Sequence, residues 1–184
     1  MKEQFLELLR QVKRDGIEEL IQFLEKSDFF IAPASTRFHG NFEGGLLQHS
    51  LKVYEILEEK LKHTPVSMDI SEDTIKIVAL LHDICKVNFY KVDYRNAKNE
   101  LGVWEKVPYY TVDDTIPYGH GEKSVMMITE YMKLTVEEKY AIRWHMGLSE
   151  PKELYGTLSA AFSKYPLALM LFEADLEATY LFDV

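Results

Sequence analysis

Apolar side chains recur every three or four positions over residues 3–26, at Phe5, Leu8, Leu9, Val12, Ile17, Leu20, Ile21 and Leu24, the spacing of one helix face. Gly16 lies inside this run and is expected to break or kink it. A loop over 27–43, with Pro33 and Gly40, leads to a second helical pattern near 44–62 carrying Leu46, Leu47, Val53, Ile56, Leu57 and Leu61. A third, over 72–86, follows Ser71 and opens on Glu72 and Asp73, carboxylates suited to the positive end of a helix dipole. Ile75, Ile77, Val78, Ala79, Leu80, Leu81 and Ile84 leave this helix almost no polar face, which places it at the centre of the fold.

Residues 88–116 change character. They are rich in aromatic and β-branched residues around the turn-forming stretch Asn96 to Gly102, and predict a β-hairpin with its loop within 95–102. After Pro117 the helical period returns at 120–132 and at 136–146. The second of these begins with Thr135 and Glu138, a capping box, and stops before Gly147. A last helix over 166–181 has Pro166 in its first turn and Leu167, Leu171, Phe172 and Ala178 on one side. With no repeat, low-complexity tract or linker to divide it, residues 1–184 read as one domain, mostly helical.

Composition narrows the function. Of 184 residues, 30 are acidic and 21 basic, a formal charge of −9, so the chain lacks the basic face that wrapping duplex nucleic acid requires. Nowhere does an apolar run approach the length of a membrane span, and the N-terminal stretch lacks the apolar centre of a signal peptide, so a cytoplasmic protein that does not engage membranes is expected. The single cysteine, Cys85, can form neither an internal disulfide nor a cysteine-rich zinc site, which leaves nitrogen and oxygen as the expected metal ligands.

Several polar residues stand where apolar ones belong. His49 points with Leu46, Val53 and Leu57, though a lone histidine on an apolar face is ordinarily a hydrogen-bonded core residue. His82 and Asp83 interrupt the most apolar helix, where an unpaired carboxylate costs several kcal/mol. A backbone donor or Lys86 could satisfy Asp83, and the dipeptide alone is common by chance. Asp175 repeats the anomaly among Ala168, Leu171, Phe172 and Ala178. One divalent cation satisfies these two acids and two histidines together, as in helical bundles whose inward side chains build a metal site. His120, flanked by glycines at a helix start, and His145, at a helix end, can be read as a cap and a dipole partner, or as ligands of a second metal. His63 reads as a solvated helix end.

Taken as a set, GGLLQHS with His49, LLHDICK with His82 and Asp83, and EADLEA with Asp175 resemble the motifs of the HD-domain superfamily of metal-dependent phosphohydrolases, over about 38–180. The resemblance implies an all-α HD-type bundle, with 1–37 as an N-terminal helix and loop, 38–180 as the motif-bearing core, and a small β-hairpin insertion around 88–116. It implies that His49, His82, Asp83 and Asp175 hold a first metal, that Asp83 bridges, and that His120 and His145 hold a second. The metals would be one or two divalent transition ions from among Fe, Mn, Zn, Ni and Co. The chain lacks the GYP motif and paired histidines of the cyclic-dinucleotide phosphodiesterase branch.

The expected activity is hydrolysis of a small phosphate ester, such as a nucleotide, by metal-activated water, with no protein nucleophile. A short single-stranded nucleic acid is also compatible with this reading. Asp83 and Lys86 are the candidate catalytic residues. Lys86, Lys123 and Arg143, with Arg37 and His39 from the preceding loop, are candidates to bind phosphate, although a surface cation is usually just solvated. Glu122 is either a proton relay or a dipole residue. The hairpin, with Lys91, Tyr94, Arg95, Lys98, Trp104 and Tyr110, is read either as a lid over the site or as packing against the bundle. Two competing readings share the ligand set: a di-iron HD-fold oxygenase, and an HD regulatory module that binds without turnover.

Overall fold

A computed structural model describes residues 1–37, 40–64 and 68–182. Its order is α1 (Lys2–Arg10), α2 (Ile17–Lys26), α3 (Gly45–His63), α4 (Glu72–Leu81), β1 (Tyr90–Lys98), β2 (Trp104–Val112), α5 (His120–Thr129), α6 (Val136–Trp144), α7 (Tyr155–Lys164) and α8 (Pro166–Glu177). The fold is all-α with a two-stranded antiparallel insertion, as the sequence pattern predicts. Helices α3, α4, α6 and α8 pack on one another, α5 lies on α6, and α1 leans on α4 and α3. One apolar cluster runs from Phe5 through Ile77, Leu80 and Leu81 of α4 to Leu171 and Ala178.

The break between α1 and α2 has a steric cause as well as a conformational one. Gly16 has φ +89°, and a Cβ there would come 1.8 Å from the carbonyl oxygen of Tyr131. Several helix ends fall short of the sequence pattern. Helix α4 ends at Leu81 and gives way to a 3₁₀ turn at Ile84–Lys86. Thr129 turns its hydroxyl onto the carbonyls of Val125 and Met126 at the end of α5, and α8 passes into a π-helical turn at Ala178–Phe182. Helix α7 carries only two fully buried side chains, Leu158 and Ala161, too thin a stripe to register as a period.

Caps behave as their residue types require. The Ser71 hydroxyl accepts from Thr74 N, and Thr135 with Glu138 forms a complete capping box. Glu138 does more than cap. Its carboxylate is fully buried and also accepts from the Thr74 hydroxyl at 2.8 Å and from Arg14 at 2.7 Å, tying the α1–α2 connection to α4 and α6. Glu138→Ala is therefore expected to destabilise the fold by about 2–4 kcal/mol in chemical denaturation, because Thr74 loses its acceptor and Arg14 its counter-ion. A loss below about 0.5 kcal/mol would contradict this role, 0.5 being the usual scatter of surface substitutions.

Candidate metal centre

The break at the end of α4 builds the first half of the site. Within a continuous helix, His82 and Asp83 would diverge by about 100°. Asp83 instead adopts φ −103° and ψ 17°, the bridge region, and its Oδ2 lies 3.5 Å from His82 Nε2. The His82 ring is fixed from behind, its Nδ1 donating to Ala79 O at 2.8 Å, so its Nε2 presents a lone pair forward.

The remaining histidines converge on the same carboxylates. His49 of α3 places Nε2 2.9 Å from Asp175 Oδ1 and 3.9 Å from Asp83 Oδ2. His120, at the first turn of α5, places Nε2 2.7 Å from Asp83 Oδ1. His145, just past α6, donates Nδ1–H to Ile142 O at 2.6 Å and holds Nε2 3.5 Å from the same Oδ1. The approach of α5 to α6 depends on Gly121, whose Cβ, were there one, would lie 2.3 Å from Arg143 O. The glycine beside His120 thus brings the two histidines' rings to a centroid separation of 5.1 Å.

The donor set fits a divalent cation. The Nε2 atoms of His82 and His145 are buried and find no hydrogen-bond partner among the described residues, a costly state that a cation on their lone pairs relieves. His49, His82 and Asp83 come together closely enough to share an ion, as do His82, His145 and Asp175. A third such group, Asp83, Cys85 and His120, includes a sulfur.

The HD domain family matches residues 46–178, a span that takes in all six of these nitrogen and oxygen donors. The chain belongs to the HD domain family. Among characterised proteins it is 28% identical to the dihydroneopterin 2',3'-cyclic phosphate phosphodiesterase of Methanocaldococcus jannaschii, an alignment covering 60% of this chain. The chain spans about half of that relative's length, 48%. No solved structure matches it.

Charge in the HD site is arranged around Asp83. Burial opposes its ionisation, but Lys86, whose Nζ stands at 2.6 Å, and the surrounding histidines outweigh burial and hold the carboxyl well below the usual range. Asp175 is lowered in the same way, against burial, by His49, His82 and His145. Burial would strip Lys86 of its proton, yet Asp83 keeps its pKa raised.

A cavity of about 590 Å³ opens over the centre, the size of a small-molecule site. Asp83, Lys86, His120, His145 and Asp175 reach it, and Phe89, Tyr90, Phe172 and Tyr180 give it aromatic walls. The tyrosine at the hairpin base, Tyr90, hydrogen-bonds to Ala34 O and is pushed up to about 12 by burial, so it remains a neutral wall.

The other predicted contacts fall elsewhere. Arg37 lines an adjoining cavity with Arg95 and Tyr109. Lys123 is paired with Asp114 at 2.7 Å, beneath the Phe89 ring, and lines a small cavity of about 130 Å³ with Lys86 and His120. Arg143 is paired with Glu122 and Glu150 and lines a separate cavity of about 540 Å³ with Tyr140 and Trp144, and neither it nor Glu122 lines the cavity over the histidine and aspartate cluster. His39 lies outside the described residues, and His63 is exposed. Tyr94 and Trp104 are largely exposed on the hairpin, and only its base, Tyr90 and Val112, borders the site.

Cys85, expected to make neither a disulfide nor a cysteine-rich metal site, nonetheless sits beside the centre, with its Sγ 3.5 Å from His120 Nδ1. A thiol two residues after Asp83 was the available signal.

His120 gives a pH test on the metal-free chain. Burial lowers its pKa, but the sulfur of Cys85 and the carboxylate of Asp83 outweigh this and raise it from 6.5 to about 9. A folded-state value above the unfolded one contributes stability that is complete below about 6.5 and is lost as pH rises through about 9. Denaturation midpoints of chelator-treated protein should fall across that window, and His120→Ala should flatten the fall. An equally steep decline in His120→Ala would refute the assignment.

Proposed function

We propose that the chain is a metal-dependent phosphohydrolase acting on a small phosphate ester of a nucleotide or related heterocycle. His49, His82, Asp83, His120, His145 and Asp175 would hold one or two divalent cations. The observation that carries this reading is that the buried Nε2 atoms of His82 and His145, 3.5 Å from Asp83, find no hydrogen-bond partner among the described residues, beneath a cavity that also receives Lys86. Membership of the HD family supports it, as does the likeness to a phosphodiesterase named for a cyclic phosphate of a small heterocycle.

When bound, divalent cations supply Lewis acidity towards phosphoryl oxygens and lower the pKa of water. The chain's own residues supply the rest. Lys86, kept charged by Asp83, orients a non-bridging oxygen and offsets charge that grows during displacement. Phe89, Phe172 and Tyr180 shelter the organic part of the ester from water. Arg37 and Arg95 line a cavity that shares Thr36 and Val112 with the first, where a second anionic group of a larger substrate can rest.

The test is a screen of phosphomonoesters and phosphodiesters after loading with manganese, iron, zinc, nickel or cobalt. Asp83→Asn should abolish turnover, and Lys86→Ala should lower kcat/KM by about 10²–10³-fold, the usual cost of deleting one charge-stabilising donor. Arg143→Gln should cost at least tenfold less, since that side chain is engaged elsewhere. Turnover that requires O₂, or Lys86→Ala at wild-type rate, would overturn the proposal.

A further inference from the structure

Strand β1 carries an open edge. Bonds from Asp113 N to Phe89 O at 2.8 Å and from Asn99 N to Val103 O at 2.9 Å flank its ladder and fix the alternation. Odd-numbered residues of β1 exchange hydrogen bonds with β2, so Tyr90, Val92, Tyr94, Asn96 and Lys98 turn their N–H and C=O groups outward. Among the described residues the sheet has only these two strands. The Tyr94 N–H is taken up locally by its own Asp93 Oδ1 at 2.8 Å. The outer edge of β2 differs, because Pro108, opposite Tyr94, has no N–H to offer a further strand.

We propose that the β1 edge is the interface to a second copy of this chain, paired antiparallel about a twofold axis through Tyr94. This register matches all nine residues of β1 with the reversed partner strand. An axis at Val92, Asp93, Arg95 or Asn96 shortens the overlap, one at Asp93 or Arg95 also sets that charge against its own copy, and an axis between two residues is barred because it would pair outward-facing groups with groups that already face β2. In the Tyr94 register Val92 faces the partner's Asn96, Tyr90 faces the partner's Lys98, and Asp93 faces the partner's Arg95. Symmetry repeats the Asp93–Arg95 pairing, in the closely spaced positions that carry no hydrogen bonds, and no like charges oppose each other. The Tyr94 N–H passes to the partner's Tyr94, which frees the Asp93 carboxylate for the partner's Arg95.

The pairing also covers apolar surface that one copy leaves in water. Val92 is 53% exposed and Tyr94 62%, and both lie on one face of the ribbon, where two copies would set them side by side. A two-stranded ribbon is marginal alone, whereas four strands bury a face. With one edge open and the other closed by proline, association stops at two copies.

The test is sedimentation equilibrium of the full chain over a concentration series. The expected species is a dimer. Asp93→Arg and Arg95→Asp should each weaken it about tenfold, by placing like charges across the axis twice, and the two together should restore it. Tyr94→Pro should give monomer with unchanged helical circular dichroism. A monomer at every concentration, a dimer indifferent to these single changes, or a double variant as weak as either single one would each overturn the proposal.

Discussion

A carboxylate at the centre of an apolar bundle must be compensated, and Asp83 is approached from five directions, by Lys86, His120, His145, His82 and His49 at 2.6, 2.7, 3.5, 3.5 and 3.9 Å. An isolated charge in that position would cost several kcal/mol, so the helices that bring these groups together are as necessary to the fold as to the chemistry. Helix α3 supplies His49, the end of α4 supplies His82 and Lys86 with Asp83 itself, α5 supplies His120, and the end of α6 supplies His145. The HD centre is therefore the meeting point of the bundle.

The same arrangement explains the division of labour around the cavity. Backbone carbonyls of Ala79 and Ile142 hold two rings from behind, which leaves their forward nitrogens for a ligand. Among the described residues Lys86 both pairs with Asp83 and lines the cavity, so its ammonium belongs to the site, whereas Lys123 is held by Asp114 and Arg143 by Glu122 and Glu150. Aromatic walls from the hairpin base and α8 border the same cavity and would shelter the organic part of the proposed substrate. The −9 charge of the chain does not oppose this, because cations held by the histidines would sit inside an acidic shell.

What the sequence showed and what it hid follow from the range of the forces involved. Apolar period marks helices that bury a broad stripe, so α3, α4 and α6 were legible, while α7, with its thin stripe, was not. His49, His82, Asp83 and Asp175 were legible because each violates the apolar pattern around it, whereas His120 and His145, at helix ends, stood out only as members of the set. The helix break after Leu81 was not, since it answers to the demand that His82 and Asp83 face one point. Arg143 and Lys123 looked suitable by proximity to His145 and His120 along the chain, but the folded chain pairs Arg143 with Glu122 and Glu150 and Lys123 with Asp114. Cys85 is the converse: only the folded chain sets its sulfur against His120.

Anomalous diffraction at the absorption edge of a bound divalent ion, from crystals of the loaded protein, tests the central claim most directly. The predicted result is a peak within bonding distance of Asp83 and of the Nε2 atoms of His82 and His145. A fully loaded protein whose metal lies anywhere else, with those two nitrogens still bare, would contradict it.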